Sequence, residues 1–132
     1  MASIFSRIIS REIPAHIVAE SDEYLAFLDI NPLTQGHTLV IPKKEVDYIY
    51  DLDDETLSGL HVFAKKVAKG IESVIDCERI GVTVIGLEVP HAHVHLIPIN
   101  AVDDMNFGRM KLAPTNEELA ETAQKIKEAI HS

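Results

Sequence analysis

The sequence predicts an α+β domain: an antiparallel sheet of about five strands, one long helix packed on it, and a C-terminal helix. Three observations carry this expectation. Five short runs have strand composition, and the brief connections between them favour antiparallel pairing. A long central stretch repeats apolar side chains at helical spacing. A second helical pattern follows a capping signature near the C-terminus.

The elements follow in order. Ile4, Phe5, Ile8 and Ile9 recur at helical spacing, so residues 3–11 form a short helix stopped before Pro14. His16 to Glu20, Tyr24 to Leu28 and His37 to Pro42 read as strands. Ser21-Asp22-Glu23 separates the first two as in a hairpin, and Asn31 to Gly36 is loop chemistry leading into the third. Asp51 to Asp54 is an acidic helix start, favoured at the positive end of the helix dipole. Leu57, Leu60, Ala64, Val67, Ile71 and Val74 then carry an amphipathic helix from about Asp53 to Ile75. Ile80 to Ile85 is β-branched and forms the fourth strand; His91 to Ile97 forms the fifth, with Gly86 and Pro90 bracketing the connection. Residues 100–114 read as irregular. Thr115 and Glu118 form a capping box, and Leu119, Ala123, Ile126 and Ile130 carry the last helix. No repeat or linker divides the chain. One domain is expected over 1–132, with its core in 3–100 and a C-terminal extension and helix in 101–132.

Composition excludes several classes of function. The chain has 12 Lys plus Arg against 21 Asp plus Glu, a formal charge of −9. Such a surface repels phosphodiester backbones, and the longest basic clusters are the pairs Lys43-Lys44 and Lys65-Lys66, so no nucleic-acid polymer is expected as partner. The single cysteine, Cys77, cannot form an internal disulfide, which fits a reducing compartment. Arg7, Arg11 and Glu12 interrupt any signal-like apolar run, and nothing approaches a membrane span. A cytoplasmic protein with no membrane contact is expected.

The richest stretch is His91-Ala92-His93-Val94-His95-Leu96-Ile97, between Pro90 and Pro98. In an extended strand, alternate side chains share a face, so the three imidazoles line one side and Ala92, Val94 and Leu96 the other. Three uses compete. A packed or solvated strand face is the plainest. A metal site is the second, but alternate strand residues are roughly 6.5–7 Å apart, which places His91 and His95 about 13 Å apart at the backbone, poor for three ligands on one ion. The third is a catalytic row acting on a phosphorylated substrate: imidazole is a nucleophile near neutral pH, and flanking imidazoles donate to anionic oxygen.

This stretch resembles the signature of the histidine triad (HIT) family, histidine–apolar–histidine–apolar–histidine–apolar–apolar. Ile4-Phe5-Ser6-Arg7-Ile8-Ile9, Glu12-Ile13-Pro14-Ala15, Ala26-Phe27-Leu28-Asp29-Ile30-Asn31-Pro32 and Gly36-His37-Thr38-Leu39-Val40-Ile41-Pro42-Lys43 are similar to the family's other segments, in the same order. The resemblance implies a HIT-like fold, a homodimer, and a nucleotide hydrolase acting at the α-phosphate of a purine nucleotide of phosphoramidate or dinucleoside polyphosphate type. It implies that His93 is the nucleophile and carries a nucleotidyl intermediate, which water resolves to a nucleoside monophosphate. His95 would contact the phosphate oxygens, His91 would orient His93, and His37 would assist proton traffic to the leaving group. Asp29 would bind the ribose hydroxyls, and Phe5, Ile8, Phe27 and Ile30 the base. No metal or other cofactor is required by this chemistry.

One departure stands out. Family members that cleave phosphoramidates carry an Asn and a Gly-rich loop with Gln-Ser or Gln-Thr before the triad, whereas this chain has the shorter Ile85-Gly86-Leu87-Glu88-Val89-Pro90. Backbone amides around Gly86 to Val89 are expected to take over, with Glu88 facing the leaving group. The third histidine is present in place of the glutamine of the transferase branch, which favours hydrolysis. The alternatives are a non-catalytic nucleotide-binding sensor and a metal-binding protein.

Overall fold

A short helix, α1 (Ile4–Ile9), precedes the strands β1 (Ile17–Glu20), β2 (Tyr24–Leu28) and β3 (Thr38–Pro42). A long helix, α2 (Asp54–Val74), leads to β4 (Arg79–Thr83) and β5 (Val94–Ile99), and α3 (Asn116–His131) follows. The computed structural model describes residues 2–131; Met1 and Ser132, the two ends of the expected domain, lie outside the described residues. The strands pair antiparallel in the order β1-β2-β3-β5-β4, so the fold is α+β with a five-stranded sheet, as expected.

Strand alternation sorts the core onto two faces. Tyr24, Ala26, Leu28, Val40, Ala92, Val94 and Leu96 face α2 and α3, where they meet Leu60, Ala64, Val67, Ile71, Leu119 and Ile126. Leu25, Phe27, Leu39 and Ile41 face the other way, under Phe5 and Ile8 of α1. Leu60, Val67 and Ile71 are fully buried, each stabilising the fold by about 1.5–3 kcal/mol through the apolar area removed from water. The helix starts are capped as the sequence predicts. The Asp53 carboxylate accepts from the Thr56 amide at 2.9 Å, and Thr115 and Glu118 exchange bonds of 2.9 and 3.1 Å.

The structure shifts several boundaries. The fifth strand begins at Val94, not His91, because the backbone joins the ladder only there: the His91 amide bonds to the Val89 carbonyl and the Ala92 amide to the Val46 carbonyl. His37 lies just before β3, its amide closing a turn onto the Thr34 carbonyl at 3.1 Å. The fourth strand spans Arg79–Thr83 rather than 80–85, and Val74, at the end of α2, is exposed. Residues 100–114 contain one turn of 3₁₀ helix (Val102–Met105) and are otherwise irregular. They are anchored nonetheless. Arg109 donates to the Leu33 carbonyl at 3.0 Å, and the Leu112 amide to the Pro32 carbonyl at 2.9 Å.

Candidate active site

His95 is held by β5 in register with Leu39, which places its ring on the α1 face of the sheet. His93 precedes that strand by one residue yet keeps the alternation, because Ala92 and Val94 are both drawn into the opposite core. The rings of His93 and His95 lie 4.9 Å apart, edge to face, and His37 lies 5.2 Å from His95. His91 sits deeper and is fully buried. The structure therefore gathers all four expected histidines, with His37, His95 and His93 adjoining one another in that order and His91 behind His93.

Backbone partners fix the protons on these rings, because a carbonyl can only accept and an amide can only donate. The Leu33 amide donates to His37 Nδ1 at 3.0 Å, so neutral His37 carries its proton on Nε2 and donates it to His95 Nδ1 at 2.9 Å. His95 must then carry its own proton on Nε2. On the other side, His93 donates from Nδ1 to the His91 carbonyl at 2.8 Å, leaving the lone pair on Nε2. His91 donates from Nε2 to the Pro42 carbonyl at 2.8 Å and accepts at Nδ1 from the Ser3 hydroxyl at 2.9 Å. Among the described residues no buried side-chain nitrogen or oxygen lacks a partner, so the two uncommitted atoms, Nε2 of His93 and Nε2 of His95, reach solvent. One is a lone pair and the other a proton.

Burial keeps the neighbours neutral. It pushes His37 down to about 3 and His95 down to about 4, with the adjacent imidazoles adding to the effect, and it lowers His91 as well. His95 is therefore a neutral donor rather than an imidazolium near neutral pH. The chain from Leu33 through His37 to His95 ends on a backbone amide, which cannot resupply a proton. This geometry orients His95.

Asp29 follows β2. Burial raises its carboxyl above the usual range, opposed by the Asn31 amide that donates to it at 2.8 Å. One of its oxygens lies 3.7 Å from His37 Nε2. Phe5, Ile8 and Phe27 are buried in one apolar cluster, with Phe5 edge-on to Phe27, His91 and His93 at 5.4, 5.9 and 5.0 Å. Ile30 stands outside that cluster, 63% exposed. Glu88 is exposed on the loop before the triad, and its charge reaches Asp29. A cavity of about 340 Å³ opens on the other side of the 29–37 loop, where Asp29, Gln35 and His37 face Leu112 and Thr122.

Two contributors are absent from the sequence-based set. Phe107 lays its ring against His95 at 4.9 Å and His37 at 6.1 Å, forming a wall of the site from the irregular 100–114 segment. Lys111 donates to the Phe107 carbonyl at 2.8 Å, and its charge reaches both Asp29 and His37. An isolated aromatic in a polar irregular run was the one available signal.

Asp29, His37 and His95 also bring one ligand atom each within 4.8 Å of one another, a spacing that suits a cation. The hydrogen bonds oppose that use. His37 Nε2 keeps its proton while Nδ1 accepts from Leu33, so a metal there would displace that proton and cost the Leu33 amide its partner.

An open antiparallel sheet that presents a free imidazole lone pair beside a neutral imidazole donor, flanked by a buried aromatic cluster and a carboxylate, defines a class of histidine-row proteins with this α+β fold. Residues 10–102 match the profile of the HIT domain. The chain belongs to the histidine triad family. It is 39% identical over 127 residues to an uncharacterised HIT-like protein of Methanocaldococcus jannaschii, spanning 89% of this chain and 96% of that one. It is 38% identical over 100 residues to a Schizosaccharomyces pombe protein named adenosine 5′-monophosphoramidase, spanning 74% of each. The crystal structure of a Hit-like protein from Bartonella henselae, described as involved in cell-cycle regulation, superposes with a TM-score of 0.83 at 36% identity, over 96% of this chain and 95% of that one. Among the described residues no helix is long and apolar enough to cross a membrane.

Proposed function

We propose that the protein hydrolyses a purine nucleotide at its α-phosphorus, releasing a nucleoside monophosphate and an amine or a phosphate-linked leaving group. The observation that carries this reading is the pair of accessible Nε2 atoms: a lone pair on His93 and a proton on His95, on rings 4.9 Å apart. His93 Nε2 attacks phosphorus as the bond to the leaving group breaks; a nucleotidyl–His93 bond forms, and a departing amine takes a proton from solvent. The positive charge this builds on the ring is met at Nδ1–H by the His91 carbonyl. His95 donates to a non-bridging oxygen, and His37 holds His95 in the tautomer that can do so. Water then attacks phosphorus and gives up a proton to solvent, the P–N bond breaks, and neutral His93 returns.

The base lies against Phe5, Ile8, Phe27 and the exposed Ile30, and Asp29 accepts from the ribose hydroxyls. Glu88 and the backbone of 86–89 face the leaving group. No metal or cofactor takes part in these steps. The name of the fission-yeast relative supports the phosphoramidate class. A homodimer is part of the same reading. β4 is an edge strand, and Val82 on it is 56% exposed, an open edge that a second copy can cover. Light scattering on wild type and Val82→Lys tests it, a monomeric wild type being the adverse result.

The decisive experiment is a panel of adenosine and guanosine phosphoramidates, dinucleoside polyphosphates and nucleoside phosphosulfates, run beside His93→Ala. We expect turnover by wild type, an acid-labile nucleotidyl adduct on His93, and loss of both in the variant. Binding without turnover across the panel would make the protein a nucleotide sensor. Equal turnover by His93→Ala would remove His93 as nucleophile.

A further inference from the structure

We propose that Glu45 is a positioning residue for the nucleophile: it latches the N-terminal segment against His91, and His91 in turn holds His93 in its reactive tautomer. The proposal deepens, and rests on, the histidine chemistry proposed above. Glu45 Oε1 accepts from the Ser3 amide at 2.7 Å and from the Ser6 hydroxyl at 2.6 Å, across some forty residues of sequence. The Ser6 proton is thereby committed to the carboxylate. The Ser6 amide donates to Ser3 Oγ at 3.0 Å, capping α1. With His91 Nε2–H committed to the Pro42 carbonyl, Nδ1 must accept, and the Ser3 hydroxyl is its donor at 2.9 Å, while Ser6 Oγ lies 3.5 Å from the same nitrogen with its proton on the carboxylate.

The Pro42 carbonyl, which can only accept, sets the His91 tautomer, and the Ser3 donation matches it and holds the ring from the other side. With Nδ1 accepting, Nε2 carries the proton and ties the ring to the Pro42 carbonyl at the end of β3. The ring is clamped at both nitrogens, and its backbone is clamped with it. The carbonyl of the same residue is the acceptor for His93 Nδ1–H, the bond that leaves the His93 lone pair on Nε2. Glu45 is therefore connected to the nucleophile through Ser3 and His91 by hydrogen bonds of 2.6–3.0 Å. The same latch seats Phe5, whose ring packs on both His91 and His93. The Ser3 amide and Ser6 hydroxyl hold the Glu45 carboxyl down at about 2, so the latch is ionised at neutral pH.

The test compares wild type with Glu45→Ala, Glu45→Gln and Ser6→Ala by steady-state kinetics on adenosine phosphoramidate and by long-range 1H–15N NMR of the imidazoles. In wild type the spectra should show His91 protonated on Nε2 and His93 on Nδ1. Glu45→Ala should lower kcat by about 10-fold or more with KM within about twofold, since misplacing a reacting group costs rate rather than affinity. Its His93 should become a mixture of tautomers. Glu45→Gln, whose carbonyl can still accept both bonds, should recover most of the rate, and Ser6→Ala should fall between. Wild-type kcat in Glu45→Ala with an unchanged His93 tautomer would overturn the proposal. So would a rate loss that only tracks the unfolded fraction. A wild type that turns over nothing would sink the hydrolase reading, while the NMR comparison would still decide the latch.

Discussion

His37 Nε2 lies 2.9 Å from His95 Nδ1, and the opposite nitrogen of His37 is occupied by the Leu33 amide. His37 can therefore only donate to His95, and His95 can only present a proton to the open side. Removing His37 frees His95 to flip or change tautomer and strips the Leu33 amide of its partner. We expect His37→Ala to lower kcat by about 10-fold or more. It should also cost about 1–3 kcal/mol of stability from the unsatisfied buried groups. Paired urea titrations and initial rates check both.

Stability should fall on acidification through a window set by the buried imidazoles. His37 and His95 titrate at about 3 and about 4 in the folded protein, against about 6.5 in an unfolded chain. Between these values the unfolded state binds more protons, so unfolding gains as pH falls. Their contribution is intact above pH 6.5, declines below it, and is lost as pH passes the folded values. At pH 5 this amounts to about 2 kcal/mol per ring as an upper figure. Asp29, raised by burial, works in the opposite sense, since its protonation favours the folded state. Urea midpoints at pH 7.5 and 5.0 should separate clearly in wild type and less in His37→Gln. Equal separation in the two proteins would contradict the assignment.

Phe107 should matter more to chemistry than to folding. Its ring is half-buried and packs on His95 and His37, while the chain after it is fastened separately by Arg109 and Leu112. Phe107→Ala should therefore leave the melting temperature close to wild type and lower kcat/KM by about 10-fold, through a wetter, looser His95. A large loss of stability with unchanged kinetics in the folded fraction would reverse that ranking.

The parts of this protein that a period can describe are legible in its sequence. α2 and α3 follow from apolar spacing and caps, and the histidine row follows from alternation, even though only His95 lies within a paired strand. Burial is what the sequence conceals. The neutral state of His37 and His95 depends on a core that many distant residues build together. The packing of Phe107 on His95, and the contact of Ser3 and Ser6 with Glu45, each join an irregular segment to a distant element. No local pattern encodes such meetings, so the orientation of the triad is invisible until the chain is folded.

Gly36 links fold to site through its backbone. It takes φ of +92°, a region that L side chains enter at a cost of about 1–2 kcal/mol. A Cβ there would also stand 3.1 Å from Ile75 Cγ1 and 3.2 Å from Pro98 Cγ, with little room to give between α2 and β5. The turn it completes carries His37: the His37 amide bonds to the Thr34 carbonyl, and Thr34 Oγ1 donates to the Pro98 carbonyl at 2.8 Å. Gly86 supplies the control, since its φ is +75° but a Cβ added there meets nothing within 4 Å. Gly86→Ala should cost the backbone strain alone. Gly36→Ala should cost that and more, and should lower kcat as His37 shifts away from His95. Equal stability losses in the two variants would show that the packing around Gly36 yields and that only its backbone conformation matters.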